Sequence, residues 1–191
     1  IKKSDVISFD LFDTLVNRNC SKPQDIFPLI FFLKNIKKNK GFLNHRIKWD
    51  NKNNESLFSI NDIYNEKNFG ISKNDEFNTD FKLISLNKSL NEIYKYAKKN
   101  KKKVILTTDI HYDKTQINKI LKKFNFKFEK IYISNELKIS KINKKIFYKI
   151  SNDYKNSKIL HIGDNYISDF INTKKIVNIR SVYIPGKKEK L

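Results

Sequence analysis

Short apolar runs without alternation punctuate the chain, and such runs suit strands covered on both faces. Residues 5–10, Asp-Val-Ile-Ser-Phe-Asp, form the first run and end in a carboxylate. Residues 103–108, Lys-Val-Ile-Leu-Thr-Thr, form a second that ends in hydroxyls, and Ile131-Tyr132-Ile133 a third. Ile159 to Ile162 make a fourth, ending at Gly163, and Ser181 to Ile184 a fifth, stopped by Pro185-Gly186. Helical spacing falls between them. Ile117, Ile120, Leu121 and Phe124 lie on one stripe, Ile142, Ile146 and Ile150 with Phe147 on another, and Ile167, Phe170 and Ile171 begin a third. From about residue 103 onward strand and helix alternate, which predicts an α/β fold with a Rossmann-like parallel sheet.

The stretch between the first two strands breaks this rhythm, being much longer than an ordinary crossover. It holds an apolar run from Ile26, a segment from Ile60 to Glu66 behind a Ser59 cap, and a longer helix ending at Asn100. Leu90, Ile93, Tyr94 and Ala97 give that helix its stripe, while residues 50–55 and 65–79 read as exposed loops. The expected organisation is an α/β core of residues 1–16 and 101–191 carrying a helical cap over 17–100, with 81–100 packing partly on the core.

With 191 residues, 39% of them hydrophobic and 13% aromatic, the chain can bury a real core and is not a disordered polymer. The net charge of +20 changes the picture less than it first suggests. Of 40 basic residues only Arg18, Arg46 and Arg180 are arginine, alanine occurs once, and lysines are spread along the whole chain. That composition matches an AT-rich coding bias, whereas nucleic-acid readers lean on arginine for bidentate base contacts. A positive field still attracts anionic substrates. Nucleic acid is not the expected partner, although charge alone does not exclude it. Cys20 stands alone, so neither an intramolecular disulfide nor a cysteine metal cluster is expected. The longest apolar run, Ile26 to Leu33, contains Pro28 and falls far short of the ~20 residues that cross a bilayer. No secretory signal is visible, so a cytoplasmic location without membrane contact is expected.

Ligands of an open parallel sheet bind beyond the carboxyl ends of its strands. Here those ends carry Asp10, Thr108, the segment with Lys141, and Gly163-Asp164. In this order the groups resemble the haloacid dehalogenase-like hydrolases, a superfamily dominated by phosphatases. The first motif is Phe9-Asp10-Leu11-Phe12-Asp13-Thr14-Leu15 and the second Leu106-Thr107-Thr108-Asp109. Ser140-Lys141 heads a helix as the third, and Gly163-Asp164-Asn165-Tyr166-Ile167-Ser168-Asp169 is the fourth. The resemblance runs from residue 5 to about 184, and the helical insertion sits where that superfamily often carries a mobile cap.

The resemblance implies a Mg²⁺-dependent phosphatase that passes through an aspartyl phosphate. Asp10 is the implied nucleophile, Lys141 and Thr108 bind phosphate oxygens, and Asp10, the Phe12 carbonyl, Asp164 and Asp169 are the implied metal ligands, Asp169 directly or through water. A carboxylate becomes a competent nucleophile when desolvated and aimed, as at a buried strand end, and a hard cation relieves its repulsion from phosphate. Thr107 and Thr108 compete for the hydroxyl role, since adjacent strand positions face opposite ways; Thr108 is favoured as the last residue before Asp109. Asp109, Arg18, Arg46 and His111 are candidate substrate contacts, each with an ordinary surface or salt-bridge role as its alternative. His161, inside a strand, reads as a satisfied core histidine.

One departure stands out. Most phosphatases of the superfamily place a second Asp two residues after the nucleophile, as acid for the leaving alcohol; here that position is Phe12 and the acid comes one later, at Asp13. Asp13 is therefore a candidate acid from an altered loop. The Phe-Asp-x-Phe-Asp-Thr-Leu form resembles a bacterial subset often associated with surface-polysaccharide synthesis, implying a phosphorylated sugar or polyol as substrate. Two alternatives remain open on sequence: a phosphatase of nucleic-acid ends, suggested by the charge, and a catalytically silent binding domain, suggested by the displaced acid.

Overall fold

The computed structural model describes residues 1–52, 57–65 and 69–186. Strand β1 (Val6–Phe9) leads into the short β2 (Val16–Arg18), a 3₁₀ turn at Pro23–Asp25, and helices α1 (Ile26–Leu33), α2 (Lys40–Lys52), α3 (Ile60–Asn65) and α4 (Lys73–Leu83). Strand β3 (Ile84–Leu86) and helix α5 (Lys88–Lys99) return the chain to the sheet at β4 (Lys103–Thr108). Then come α6 (Lys114–Lys123), β5 (Lys130–Ile133), the short α7 (Ser134–Leu137), α8 (Lys145–Asp153), β6 (Ile159–Gly163), a π-helical turn at Tyr166–Ile171, and β7 (Ile179–Tyr183).

The main sheet has the order β5-β4-β1-β6-β7 with every pair parallel, the α/β Rossmann-like arrangement that the strand runs predict. Strand alternation sorts the core into two layers. Ile7, Phe9, Val104, Leu106 and Ile162 meet Leu90, Tyr94 and Ala97 of α5 and Ile117, Ile120 and Leu121 of α6. On the opposite face Val6, Ile105, Tyr132 and Ile159 meet Ile146, Phe147 and Ile150 of α8. β1 lies between β4 and β6 with Ser8 in register with Ile105 and His161, so Asp10 emerges at the centre of the carboxyl edge.

The insertion carries apolar packing of its own. Ile26, Phe27, Ile30 and Phe31 of α1 surround Phe42 of α2, whose ring stands edge-on to Phe27, Phe31 and Phe69. Burying one such ring is worth about 2–3 kcal/mol. Ile60 and Phe77 join the main core, and β2 and β3 pair antiparallel at the foot of the insertion.

Several elements differ from the sequence expectation. Helix α4 takes in residues 73–79 of the 65–79 stretch expected as a loop, and it is opened by a capping box in which Ser72 and Asp75 satisfy each other's backbone N–H. Residues 50–52 belong to α2, while 53–55 and Glu66 lie outside the described residues. The β2–β3 ribbon has no counterpart in the expectation. Lys141 sits in a turn before α8 rather than at its head, because Lys144 takes a left-handed conformation (φ 67°) and starts the helix anew. Ile142 is thereby lifted out of the helical stripe and is exposed. The stripe expected from Ile167 is likewise absent: Ile167 is exposed, and the π turn directs Ser168 and Asp169 inward. Among the described residues no helix is long and apolar enough to cross a membrane.

Candidate active site

Beyond the carboxyl edge lies a cleft of about 220 Å³ lined by Asp10, Phe12, Asp13, Thr108, Asp109, Lys141, Asp164 and Arg18, with Ile110, Ile142, Asn165 and Ser168 completing its wall. Four loops, each following a core strand or its connection, supply it. The sheet extends one bond past β1, Asp10 N–H donating to the Ile162 carbonyl at 2.9 Å, and this fixes the backbone beneath the Asp10 carboxylate.

Lys141 organises the charges. Its Nζ donates to Asp10 Oδ1 at 2.9 Å and to Asp169 Oδ1 at 2.6 Å, using two of three donors in a site where Lys141 itself is buried. Its backbone N–H donates to both oxygens of Asp109, at 3.1 and 2.9 Å, and Asn172 Nδ2 holds the carbonyls of Lys141 and Ile142. The Lys141 turn is thus pinned from the second strand end and from the π turn together.

Of Asp10, Asp109, Asp164 and Asp169, the last is the most heavily bonded. Besides Lys141 it accepts from His161 Nε2 at 3.0 Å and from Asn165 N–H at 3.0 Å. Gly163 makes room for it: a Cβ there would overlap the Asp169 side chain. Burial pushes the Asp169 carboxyl up, but the Lys141 ammonium and the hydrogen bond from His161 outweigh that and hold it well below the carboxylate range. The other acids go the opposite way. Burial raises Asp10 against the opposing pull of Lys141, raises Asp109 to about 7, and, with Asp10 nearby, raises Asp164 to about 8. The cluster carries more negative charge than Lys141 neutralises. Asp10, Asp164 and Asp169 each bring a carboxylate oxygen to within 4.8 Å of the others, a hard-oxygen set of the kind divalent cations take.

Thr108 lines the cleft, whereas the Thr107 hydroxyl bonds to Ser8 Oγ inside the sheet at 2.8 Å. Asp13 reaches the cleft from a left-handed backbone (φ 57°) that Asp tolerates better than most residues. Phe12 is buried under the Arg18 guanidinium, which stacks 3.8 Å from the ring centroid, donates to Asp80 at 3.0 Å and lies 3.9 Å from Asp13. Of the candidate substrate contacts, the structure brings Arg18 and Asp109 to the cleft but not Arg46 or His111. Both of those bond to Glu76 of α4, Arg46 through Nε and Nη2 at 2.8 and 2.9 Å and His111 through Nε2 at 3.0 Å. A guanidinium buried to 2% exposure requires such a partner.

No protein-family model matches the chain, and no curated protein matches it in sequence. Solved structures do match. A HAD phosphatase from Thermococcus onnurineus aligns at TM-score 0.69 and 12% identity, over 94% of this chain and 86% of the other. The fold is that of the haloacid dehalogenase-like hydrolases. A HAD family enzyme from Bacteroides thetaiotaomicron, crystallised with magnesium and inorganic phosphate, aligns at TM-score 0.65 and 16% identity, over 96% of both chains. A 2-haloacid dehalogenase from Pseudomonas syringae aligns at 0.63 and 12% identity, over 94% of this chain and 86% of that one.

Within this haloacid dehalogenase-like core, three residues outside the expected site set shape the site, among them His161, which is the satisfied core histidine the sequence suggests. Asn172 ties the Lys141 turn to the π turn, Asn165 caps that turn through its side chain, and His161 bonds to Asp169 from beneath. Only His161 carried a signal: a histidine amid a strand of isoleucine and leucine needs two partners.

Proposed function

We propose that the protein is a Mg²⁺-dependent phosphatase that hydrolyses a small phosphate monoester through an aspartyl phosphate on Asp10. The observation that carries this reading is the Lys141 ammonium, buried and bonded to Asp10 and Asp169 at once, in a cleft where, among the described residues, the nearby Asp164 accepts only from the Thr14 hydroxyl. The donor set fits Mg²⁺, with Asp10, the Phe12 carbonyl and Asp164 as ligands and Asp169 directly or through water. When bound, Mg²⁺ supplies charge neutralisation that lets an anionic phosphate approach an anionic carboxylate.

The chain's own groups do the rest. Buried and poorly solvated, the Asp10 carboxylate is a stronger nucleophile than one in water. It attacks phosphorus in line; the Asp10–phosphorus bond forms as the bond to the alcohol oxygen breaks, and that oxygen takes a proton. Asp13, at the cleft wall, is the group assigned to supply that proton. Lys141 has its third donor left for a phosphate oxygen, and the Thr108 hydroxyl offers another, so the charge that develops meets fixed partners. Water then cleaves the aspartyl phosphate and releases inorganic phosphate.

A volume near 220 Å³ suits a phosphate with a short leaving group and lies below the roughly 300–1,000 Å³ of sites for larger ligands. A sugar or polyol phosphate, as in surface-polysaccharide synthesis, fits that size. The helical segment over 17–100 is assigned as a cap, with Arg18 the side chain it contributes to the cleft. A phosphate-release screen over sugar phosphates, polyol phosphates and phosphorylated oligonucleotides, with and without EDTA, tests the reading. Turnover of small esters that EDTA abolishes supports it. Turnover of oligonucleotide ends alone replaces the substrate class, and release that EDTA leaves unchanged overturns the metal.

A further inference from the structure

Beneath the cleft runs a row of buried polar side chains that the chemistry above does not use. Thr107 of β4, Ser8 of β1 and His161 of β6 lie side by side on the face of the sheet that α8 covers. Thr107 Oγ1 is 2.8 Å from Ser8 Oγ, Ser8 Oγ is 2.8 Å from His161 Nδ1, and His161 Nε2 is 3.0 Å from Asp169 Oδ1. All three are almost wholly excluded from solvent. An apolar residue would suit each position better on packing grounds alone, as the isoleucines around them show, and burying hydroxyls and an imidazole is costly unless every group is paired.

The pairing has a direction. An Asp169 carboxylate ionised by Lys141 can only accept, so His161 Nε2 carries the proton and donates. His161 Nδ1 is then left to accept from the Ser8 hydroxyl, which in turn accepts from Thr107. Asp169 thus sets the tautomer through Nε2, and the Ser8 hydroxyl at Nδ1 holds the aim of the ring. Asp169 Oδ1 is the shared acceptor: it takes the His161 proton from below and the Lys141 ammonium from the side.

We propose that His161 is a positioning residue, and that the Thr107–Ser8–His161 row fixes the Asp169 carboxylate so that Lys141 Nζ is held against Asp10. The role rests on the phosphatase reading for its consequence in turnover, but not for its geometry. No proton moves along the row during a turnover. His161 touches neither phosphate nor metal; it sets the place of the two groups that do.

Three measurements test this. In wild-type protein, ¹⁵N spectra of the imidazole ring should show the Nε2–H form of His161; a predominant Nδ1–H form overturns the proposal without any variant. His161→Leu should lower kcat about 10–100-fold and weaken Mg²⁺ binding to the enzyme, measured calorimetrically without substrate, by about tenfold. His161→Gln keeps a donor toward Asp169 and an acceptor toward Ser8, and should stay within about fivefold of wild type in both. Glutamine as damaging as leucine, or leucine harmless in both readouts, overturns the proposal. Should His161→Leu fail to fold, Ser8→Ala decides: Asp169 still holds the Nε2 proton, but Nδ1 loses its donor, so the Nδ1 resonance should shift and Mg²⁺ affinity should fall, whereas an unchanged Nδ1 resonance together with unchanged affinity overturns the row. Absence of any phosphatase activity in wild-type protein sinks the phosphatase reading, whereas the spectra and Mg²⁺ affinity still judge His161.

Discussion

Glu76→Ala is the sharpest test of how the helical segment is held to the core. Glu76 is fully buried and accepts four hydrogen bonds: from Arg46 Nε at 2.8 Å, Arg46 Nη2 at 2.9 Å, Tyr64 Oη at 2.6 Å and His111 Nε2 at 3.0 Å. Truncation leaves the Arg46 guanidinium buried with Asp50 at 3.1 Å as its remaining ion-pair partner. Removing one partner of a buried pair costs about 3–5 kcal/mol. Linkage gives a figure of similar size. Burial alone would raise the Glu76 carboxyl, but the bonds from His111 and the Arg46 charge hold it at about 2 against an ordinary 4.5, a difference worth about 3 kcal/mol. At this chain length each kcal/mol moves Tm by roughly 2–4 °C, so the variant should melt roughly 6–20 °C below wild type at neutral pH. The depressed carboxyl stabilises the fold fully above pH 4.5 and ceases to do so as pH falls toward 2. Urea titrations should therefore show the variant's deficit narrowing by more than half between pH 6 and about pH 3. A deficit under about 1 kcal/mol at neutral pH, or one that does not change with acid, would refute the reasoning.

Other consequences are more local. Gly163→Ala puts a Cβ into the Asp169 side chain, and should cost about 1–3 kcal/mol of stability and most of the phosphatase activity; a variant with normal turnover contradicts the packing. Asp13→Asn should slow alkyl phosphates at least about tenfold more than activated aryl phosphates, and equal effects on both remove Asp13 as the acid. Burial and the nearby Asp10 raise Asp164 to about 8, which favours its protonated form at neutral pH, so a Mg²⁺ ion bound there would have to expel that proton. Calorimetry in buffers of different ionisation heat should record close to one proton released at pH 7, and Mg²⁺ affinity should rise up to about pH 8 and level off above it. The same raised value means that metal-free protein loses stability as pH climbs from the ordinary 3.8 through about 8, and Mg²⁺ should reverse that loss.

The inner strands were legible because they are largely buried on both faces, leaving short apolar runs in an otherwise lysine-rich chain. The strand-end groups followed, since Asp10, Thr108 and Asp164 come directly off those runs. Helix α4 was hidden for the converse reason. Its buried face is Glu76, Phe77, Thr79 and Asp80, and the partners that make two carboxylates tolerable there, Arg46 and Arg18, are distant in sequence. The π turn escaped notice because it buries Ser168 and Asp169 and exposes Ile167, the reverse of an amphipathic stripe. Arg46 drew attention for its rarity, but rarity marks a residue without saying which carboxylate it meets. His161 became interpretable only when strand register set it beside Ser8.

The central claim is that Asp10 itself becomes phosphorylated. Protein mixed with Mg²⁺ and an aryl phosphate, quenched in acid during turnover and digested, can be read by mass spectrometry for a phosphoryl group on the peptide that carries Asp10. Wild-type protein should yield that adduct, and Asp10→Asn should lack both the adduct and all phosphate release. Phosphate release that persists in Asp10→Asn, or an adduct on any other residue, would contradict it.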